Sequence, residues 1–362
     1  MRSKPMKFTG FLAVCLLFVF SCKNNMINPA AQGPSVSAFG SINHVVVVCD
    51  EDLWNGPVGD SLRYLFESAY PILPQPESIF DLRQMPYSDI IGLKSRRELR
   101  NYIFVADLSK IDSSALNLLN NLIGAEKLRS HVKESKYSNL ITTDVWARGQ
   151  QLMYLIGENQ NDLIARIKNS FPGLSKQIRD LDNITIKANT YAAGDAKFIN
   201  AQLANRFGIN MDIPADFKLA SDKNTGIWLR KETEIASFNL ILSKLKYSST
   251  QQLSKDGLKT IRDSLSRSFV TTASPGDYMV INDKDLPLFI YQKNIDGNYG
   301  IEARGVWETK IEFMGGPFQT YMFQSPAKDS IMYIDAFVFA PEQEKRNLMQ
   351  QLEAIVSTFH FK

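Results

Sequence analysis

The chain has 362 residues, 41 basic and 38 acidic side chains, three histidines and three cysteines. Three of the basic residues, Arg2, Lys4 and Lys7, fall in the first 21 positions, where no acid occurs, so the remainder is formally neutral and offers no global charge for nucleic acid or acidic lipid. With so few histidines a histidine-rich zinc site is not expected, and no cofactor is implied.

The order of elements begins with an address. The three basic residues precede an apolar run, Phe8 to Phe20, that is too short to span a bilayer as a helix. Ser21 then precedes Cys22, and the whole reads as a cleaved secretory signal over 1–21. A cysteine directly after the small residue resembles a bacterial lipoprotein signal. That resemblance implies lipidation of Cys22, a membrane partner through its acyl chains and a place in the cell envelope. Lys23-Asn24-Asn25 carries no acid, which favours the periplasmic face of the outer membrane. With Cys15 in the signal and Cys22 lipidated, only Cys49 remains, so no internal disulfide is expected. Stability must then come from a hydrophobic core, and a chain of this length suggests two domains.

Residues 22–40 are rich in Asn, Pro, Ala, Ser and Gly and read as a tether. His44 to Cys49 is a continuous β-branched run, the pattern of a buried strand. A helix carries Val58, Leu62, Leu65 and Phe66 on one face. Tyr70 to Glu77 holds three prolines and reads as extended. A second strand covers 101–108. One or two helices occupy 113–134, broken near Gly124. A hairpin pairs 140–146 with 151–157 around Arg148-Gly149. A helical stripe at Leu163, Ile164, Ile167 and Phe171 is ended by Pro172-Gly173.

The second half opens with a helix bearing Ile199, Leu203 and Phe207 that stops at Gly208. Strands follow at 217–220, 226–232 and 236–247. The next helix, over 250–267, has capping-box spacing at Ser249 and Gln252. Five further strands are expected near 277–281, 288–293, 299–308, 317–325 and 330–339. Pro341 is placed to start a last helix with Leu348, Leu352, Ile355 and Phe359 buried. Runs of hairpins imply antiparallel pairing. The expected class is therefore α+β in two domains, 41–184 and 185–362, each a largely antiparallel sheet packed with helices.

Several local phrases are distinctive. Among them are Asp52-Leu53-Trp54-Asn55-Gly56-Pro57-Val58-Gly59-Asp60 and Leu73-Pro74-Gln75-Pro76-Glu77 with Phe80-Asp81. Others are Arg304-Gly305-Val306-Trp307, Met314-Gly315-Gly316-Pro317-Phe318 and Phe337-Val338-Phe339-Ala340-Pro341. Together they resemble a Bacteroidota lipoprotein family known as a domain of unknown function (4837), over nearly the whole mature chain. The resemblance implies a lipoprotein of an outer-membraned bacterium and supplies no activity. The second half also resembles the PsbP/Mog1-type α/β/α sandwich, through Ile213-Pro214-Ala215-Asp216-Phe217 and its closing helix.

Candidate chemistry is sparse. The Gly315-Gly316 pair is expected to form a turn in which at least one glycine has a positive φ, making a ligand or partner contact with Arg304, Trp307 and Phe318. Trp54 and Glu77 are further contact candidates, and Glu77 with Asp81 could serve as an acid–base pair. Asp50-Glu51-Asp52 lacks the ligand spacing of a calcium loop and reads as a solvated turn. Lys94, Arg96, Arg97 and Arg100 form a basic cluster that could meet an acidic partner. Gly-x-Ser-x-Gly is absent, and Ser-x-x-Lys recurs without its companion motifs. The leading expectation is a non-enzymatic envelope protein that binds a ligand, an envelope protein or a cell-wall partner. The alternative is a hydrolase or transferase acting on cell-wall or lipid material.

Overall fold

The computed structural model describes residues 34–134 and 139–362. The signal over 1–21, the lipidation site Cys22 and most of the expected tether lie outside the described residues. Of the tether, Ser37 bridges to Arg148 and Phe39 to Leu99, so its last residues are paired to the first half.

The first half supplies β1 (His44–Val48), α1 (Glu51–Trp54), α2 (Pro57–Phe66), β2 (Asp81–Met85), α3 (Tyr87–Gly92), β3 (Asn101–Asp107), α4 (Ser113–Ile123), α5 (Ala125–Glu134), β4 (Leu140–Thr143), β5 (Gln151–Gly157) and α6 (Gln160–Thr190). The sheet order is β2-β1-β3-β5-β4. Its β1–β2, β1–β3 and β3–β5 pairings are parallel, and only β4–β5 is antiparallel. This corrects the expectation of an antiparallel first sheet. The reason lies in β1 itself: Val45 and Val47 pack on α2 and α6, while Val46 and Val48 pack under α3, α4 and α5. A strand apolar on both faces needs both covered, which is the situation of a parallel sheet.

α6 also departs from expectation. It runs through Pro172-Gly173 without stopping. Pro172 sits on its solvent side, while Leu174, Ile178 and Ile186 continue the buried stripe, so packing outweighs the missing N–H. The helix extends past position 184, where the two domains were expected to divide. Gly124 separates α4 from α5 at φ 90°, as its place in the sequence suggests.

The second half supplies α7 (Lys197–Phe207), β6 (Ile209–Asn210), β7 (Lys218–Lys223), β8 (Gly226–Glu232), β9 (Ser237–Lys246), α8 (Lys255–Phe269), β10 (Met279–Asn282), β11 (Phe289–Ile295), β12 (Asn298–Thr309), β13 (Gly315–Gln324), β14 (Ser330–Phe339), α9 (Arg346–Val356) and β15 (His360–Phe361). Eight strands form one antiparallel sheet in the order β10-β12-β13-β14-β9-β8-β7, with β11 beside β10 on the same edge of β12. Alternation divides β14 cleanly. Met332, Ile334, Ala336 and Val338 face α7 and α9, whereas Ile331, Tyr333 and Phe337 face α8. The mixed α+β class holds, with a chiefly parallel first sheet and an antiparallel second one.

α9 starts at Arg346 rather than at Pro341. Its first N–H groups are held by the other half of the molecule. The Glu77 carboxylate accepts from Lys345 N at 2.6 Å and Arg346 N at 2.9 Å. A carboxylate at a helix N-terminus satisfies orphan donors and complements the dipole.

Candidate functional site

β12 is apolar on one face and charged on the other. Ile301, Ala303 and Trp307 enter the core beneath α8. Glu302 and Arg304 point the other way, toward α9 and the first half, and line a cleft of about 520 Å³ between the two halves. The first half contributes Tyr70 and Pro71 from the proline-rich segment, and one stripe of α6: Arg179, Asp182, Asn183 and Ile186. That i, i+3, i+4, i+7 spacing puts all four on a single helix face.

A network fills the floor. Arg304 pairs with Glu302 through Nε and with Glu353 through Nη1 at 2.8 Å. Glu353 Oε1 also accepts from the Tyr70 hydroxyl at 2.5 Å and from Gln319 Nε2 at 2.5 Å. Lys293 Nζ reaches the other oxygen of Glu302 at 2.7 Å. Tyr321 donates to Gln319 Oε1 at 3.0 Å. Burial pushes the Tyr70 phenol well up, and the Glu353 charge adds to it. Burial also pushes Tyr321 up, with Glu302 and Glu353 adding. Burial works against the Arg304 charge, but Glu353, Tyr70 and Glu302 outweigh it and move the group upward. Both phenols and the guanidinium therefore stay protonated and act as fixed donors.

The junction beside the cleft is equally polar. Asn43 donates its backbone N–H to Asp182 Oδ2 at 2.7 Å and exchanges side-chain hydrogen bonds with Gln350 at 2.9 and 3.0 Å. Arg100 holds the other oxygen of Asp182 at 2.8 Å. Arg346 clasps Asp81 with two bonds, at 3.0 and 2.7 Å. Every carboxylate lining the cleft is thus engaged by an arginine: Asp182 by Arg100, and Glu302 and Glu353 by Arg304.

A second cavity of about 430 Å³ lies at the other end of β12. It is lined by Trp307, Gly315, Gly316 and Phe339 together with Pro74 and Gln75. The proline-rich segment therefore touches both cavities. Within it Ile72 has φ 55°, a left-handed conformation that costs a β-branched residue energy.

The expected site residues do not form one constellation. Arg304 is in the cleft, while Trp307, Gly315 and Gly316 line the second cavity. Phe318 is buried under Arg262, whose guanidinium lies 3.7 Å from the ring centroid. Trp54 sits on α1, away from both, with the Arg63 guanidinium 4.6 Å above its ring. Glu77 and Asp81 hold the start of α9, Glu77 through the Lys345 and Arg346 N–H groups and Asp81 through the Arg346 guanidinium. The turn expected at Gly315-Gly316 is absent. Both glycines are in β13, paired with Glu308 and Trp307, and neither has a positive φ. Gly316 is required for a different reason: a β-carbon there would stand 2.1 Å from the Val338 carbonyl oxygen, which also accepts from Trp307 Nε1 at 3.3 Å.

The basic cluster is split in the same way. Arg97 donates to the Ile90 and Ile91 carbonyls and covers Trp146, and Arg100 is buried on Asp182. Cys49 is buried, and burial first, with Asp50 adding, pushes its thiol up to about 12. It is a core residue. No group of three or more His, Cys, Asp or Glu among the described residues is arranged to hold a metal ion.

Sequence reasoning missed Tyr70, Glu302, Gln319 and Glu353. One signal was available: Glu302 and Arg304 alternate with apolar residues in a long strand, which marks a polar face. Their partners on α9 and at Tyr70 are long-range and left no mark in the sequence.

Two family models divide the chain. Residues 196–358 match a domain of unknown function, DUF4837, and residues 38–189 match another, DUF8532. The DUF4837 match does not extend over nearly the whole mature chain, as the resemblance suggested; Trp54 and the proline-rich segment belong to the DUF8532 match. No curated protein matches the chain. Among solved structures, the Saccharomyces cerevisiae Ran-binding protein Mog1p is similar at 13% identity and TM-score 0.29, over 42% of this chain and 90% of that one. LpqN, involved in cell envelope biogenesis of Mycobacterium tuberculosis, is similar at 12% identity and TM-score 0.25, over 42% and 81%. Human STARD10 is similar at 9% identity and TM-score 0.21, over 45% and 75%. A Mog1 protein is thus among the partial likenesses, at a level that carries no function to this chain.

Proposed function

We propose that this is a Bacteroidota lipoprotein, anchored through Cys22 to the outer membrane and facing the periplasm. Its folded part binds a ligand or an envelope partner in the cleft between its halves, without catalysing a reaction on it. One observation supports the binding role: the cleft is walled by both halves, and an arginine engages each of its carboxylates. Such a wall presents fixed hydrogen-bond donors. It leaves no carboxylate of the cleft without an arginine partner. The anchor rests on the signal and Cys22. No helix among the described residues is long and apolar enough to cross a membrane.

The test is capture from the native envelope in three forms. Cys22→Ser should move the protein out of the detergent phase. Asn183→Trp, at an exposed position lining the cleft, should keep the fold and the anchor while losing the captured material. Unchanged capture by Asn183→Trp overturns the cleft as the binding site. Chemical turnover of the captured material would replace binding by a hydrolase or transferase role.

A further inference from the structure

The cleft has an unspent remainder once its internal pairs are counted. Its lining carries Arg179, Lys293 and Arg304 against Asp182, Glu302 and Glu353. Arg100, behind the lining, already neutralises Asp182. One positive charge is left over. Arg179 is exposed, projects from α6 into the cleft and has no ion-pair partner among the described residues. An incoming ligand therefore meets one uncommitted guanidinium, the side chain best shaped for a carboxylate.

The other free groups point to the rest of that ligand. The side-chain amide of Asn183 lines the cleft, is exposed and has no hydrogen-bond partner among the described residues. An amide both donates and accepts, which matches hydroxyl groups that do the same. At the mouth, edge strand β11 presents Tyr291 stacked on Phe289, with centroids 6.4 Å apart and planes 11° apart. Both rings are 41% exposed. A flat, accessible aromatic beside a free amide suits the apolar face of a sugar ring, whereas an inorganic anion has no use for it. The volume of about 520 Å³ is in the range of small-ligand sites.

We infer that the interdomain cleft binds an acidic sugar, its carboxylate on Arg179, a hydroxyl on Asn183 and its ring against Tyr291. This rests on the binding role proposed above and names the ligand class for that same cleft. The sugar could be free or the terminal residue of a longer chain.

Calorimetry on the full chain in detergent tests it, with D-galacturonate, D-glucuronate, digalacturonate, D-galactose and inorganic phosphate as probes. At least one acidic monosaccharide should bind, and D-galactose should bind roughly tenfold or more weakly. Phosphate should not compete. Arg179→Gln should weaken the acidic sugar about tenfold and leave D-galactose unchanged, while Tyr291→Ala should weaken both. All of these positions are exposed, so the variants should remain folded. Tighter binding of digalacturonate identifies a chain end, and equal binding identifies the free sugar. Failure of both acidic monosaccharides, equal binding of D-galactose or an unaffected Arg179→Gln overturns the inference. If Asn183→Trp still abolishes capture while no sugar binds, the ligand class is wrong and the binding role survives. If capture is unaffected, the binding role itself fails.

Discussion

Two clusters of buried charge hold this molecule, and they differ in what they join. Inside the second half, Arg262 on α8 meets Asp335 on β14 at 3.0 Å, with both side chains fully buried. Thr320 donates to the same carboxylate oxygen at 2.6 Å. All three belong to one sheet and the helix packed on it. The junction cluster of Asn43, Asp81, Asp182, Arg100, Arg346, Gln350 and Glu77 instead links residues up to 307 positions apart and is partly open to water. The first cluster therefore bears on whether the second half folds. The second bears on how the halves stand to each other, and hence on the cleft. A pair that crosses between halves can loosen without either core melting, which the internal pair cannot do.

The largest expected effect breaks the internal cluster. Asp335→Ala leaves the Arg262 guanidinium buried without a counter-charge, and uncompensated buried charges of this kind cost about 3–5 kcal/mol. Chemical denaturation should show that loss with unfolding still cooperative in the second half. A loss below about 1 kcal/mol would mean that Arg262 finds another partner or reaches solvent, and the contrast between the clusters would collapse.

A smaller effect is expected at the junction. Glu77→Ala removes the acceptor for two N–H groups at the start of α9, and loss of a cap costs about 0.5–2 kcal/mol. Arg346 keeps its two bonds to Asp81, so the halves should stay together. The expected signature is local: faster hydrogen exchange at Lys345 and Arg346, with exchange in β14 unchanged. Equal acceleration throughout the second half would place Glu77 among the determinants of the core itself.

The same contrast explains what the sequence disclosed. Periodicity locates the strands of the antiparallel sheet well, because the alternation within each strand marks its two faces. The expected strand at 226–232 has the same bounds as β8, and 330–339 the same as β14. Gly124 and Ser249 behave as their residue types suggest, with Ser249 N bonded to the Gln252 side chain at 3.2 Å. The parallel pairing of the first sheet is not legible in its strands, because direction is a property of the connections, and β2 carries a polar Asp-Leu-Arg-Gln-Met sequence on an edge. A glycine pair such as Gly315-Gly316 suggests a turn because glycine pairs usually serve φ. Here Gly316 serves a close approach by β14, a partner 22 residues away that no local pattern reveals. The cleft depends on contacts such as Tyr70 with Glu353 across 283 positions, and these were illegible for the same reason.

The smallest expected effect tests whether burial or pairing governs the junction. In the folded state burial pushes the Asp182 carboxyl above its ordinary value of 3.8; the Asn43 N–H and the Arg100 charge pull the other way without prevailing. The folded protein therefore holds this proton more tightly than the unfolded chain does. Stability from Asp182 is complete below 3.8 and is lost as pH rises through the folded value. Asp182→Asn removes that titration while retaining one side-chain oxygen for Asn43. It also leaves Arg100 without its carboxylate, a cost that adds an offset without this slope. Denaturation of both proteins between roughly pH 3 and pH 7 isolates the slope, because every other carboxylate is common to the two. Relative to the variant, the unsubstituted chain should gain stability on acidification. If instead its advantage grows as pH rises, Arg100 outweighs burial and the Asp182 carboxyl lies below its ordinary value. The junction would then be held by charge pairing, and the internal and junction clusters would differ in location alone.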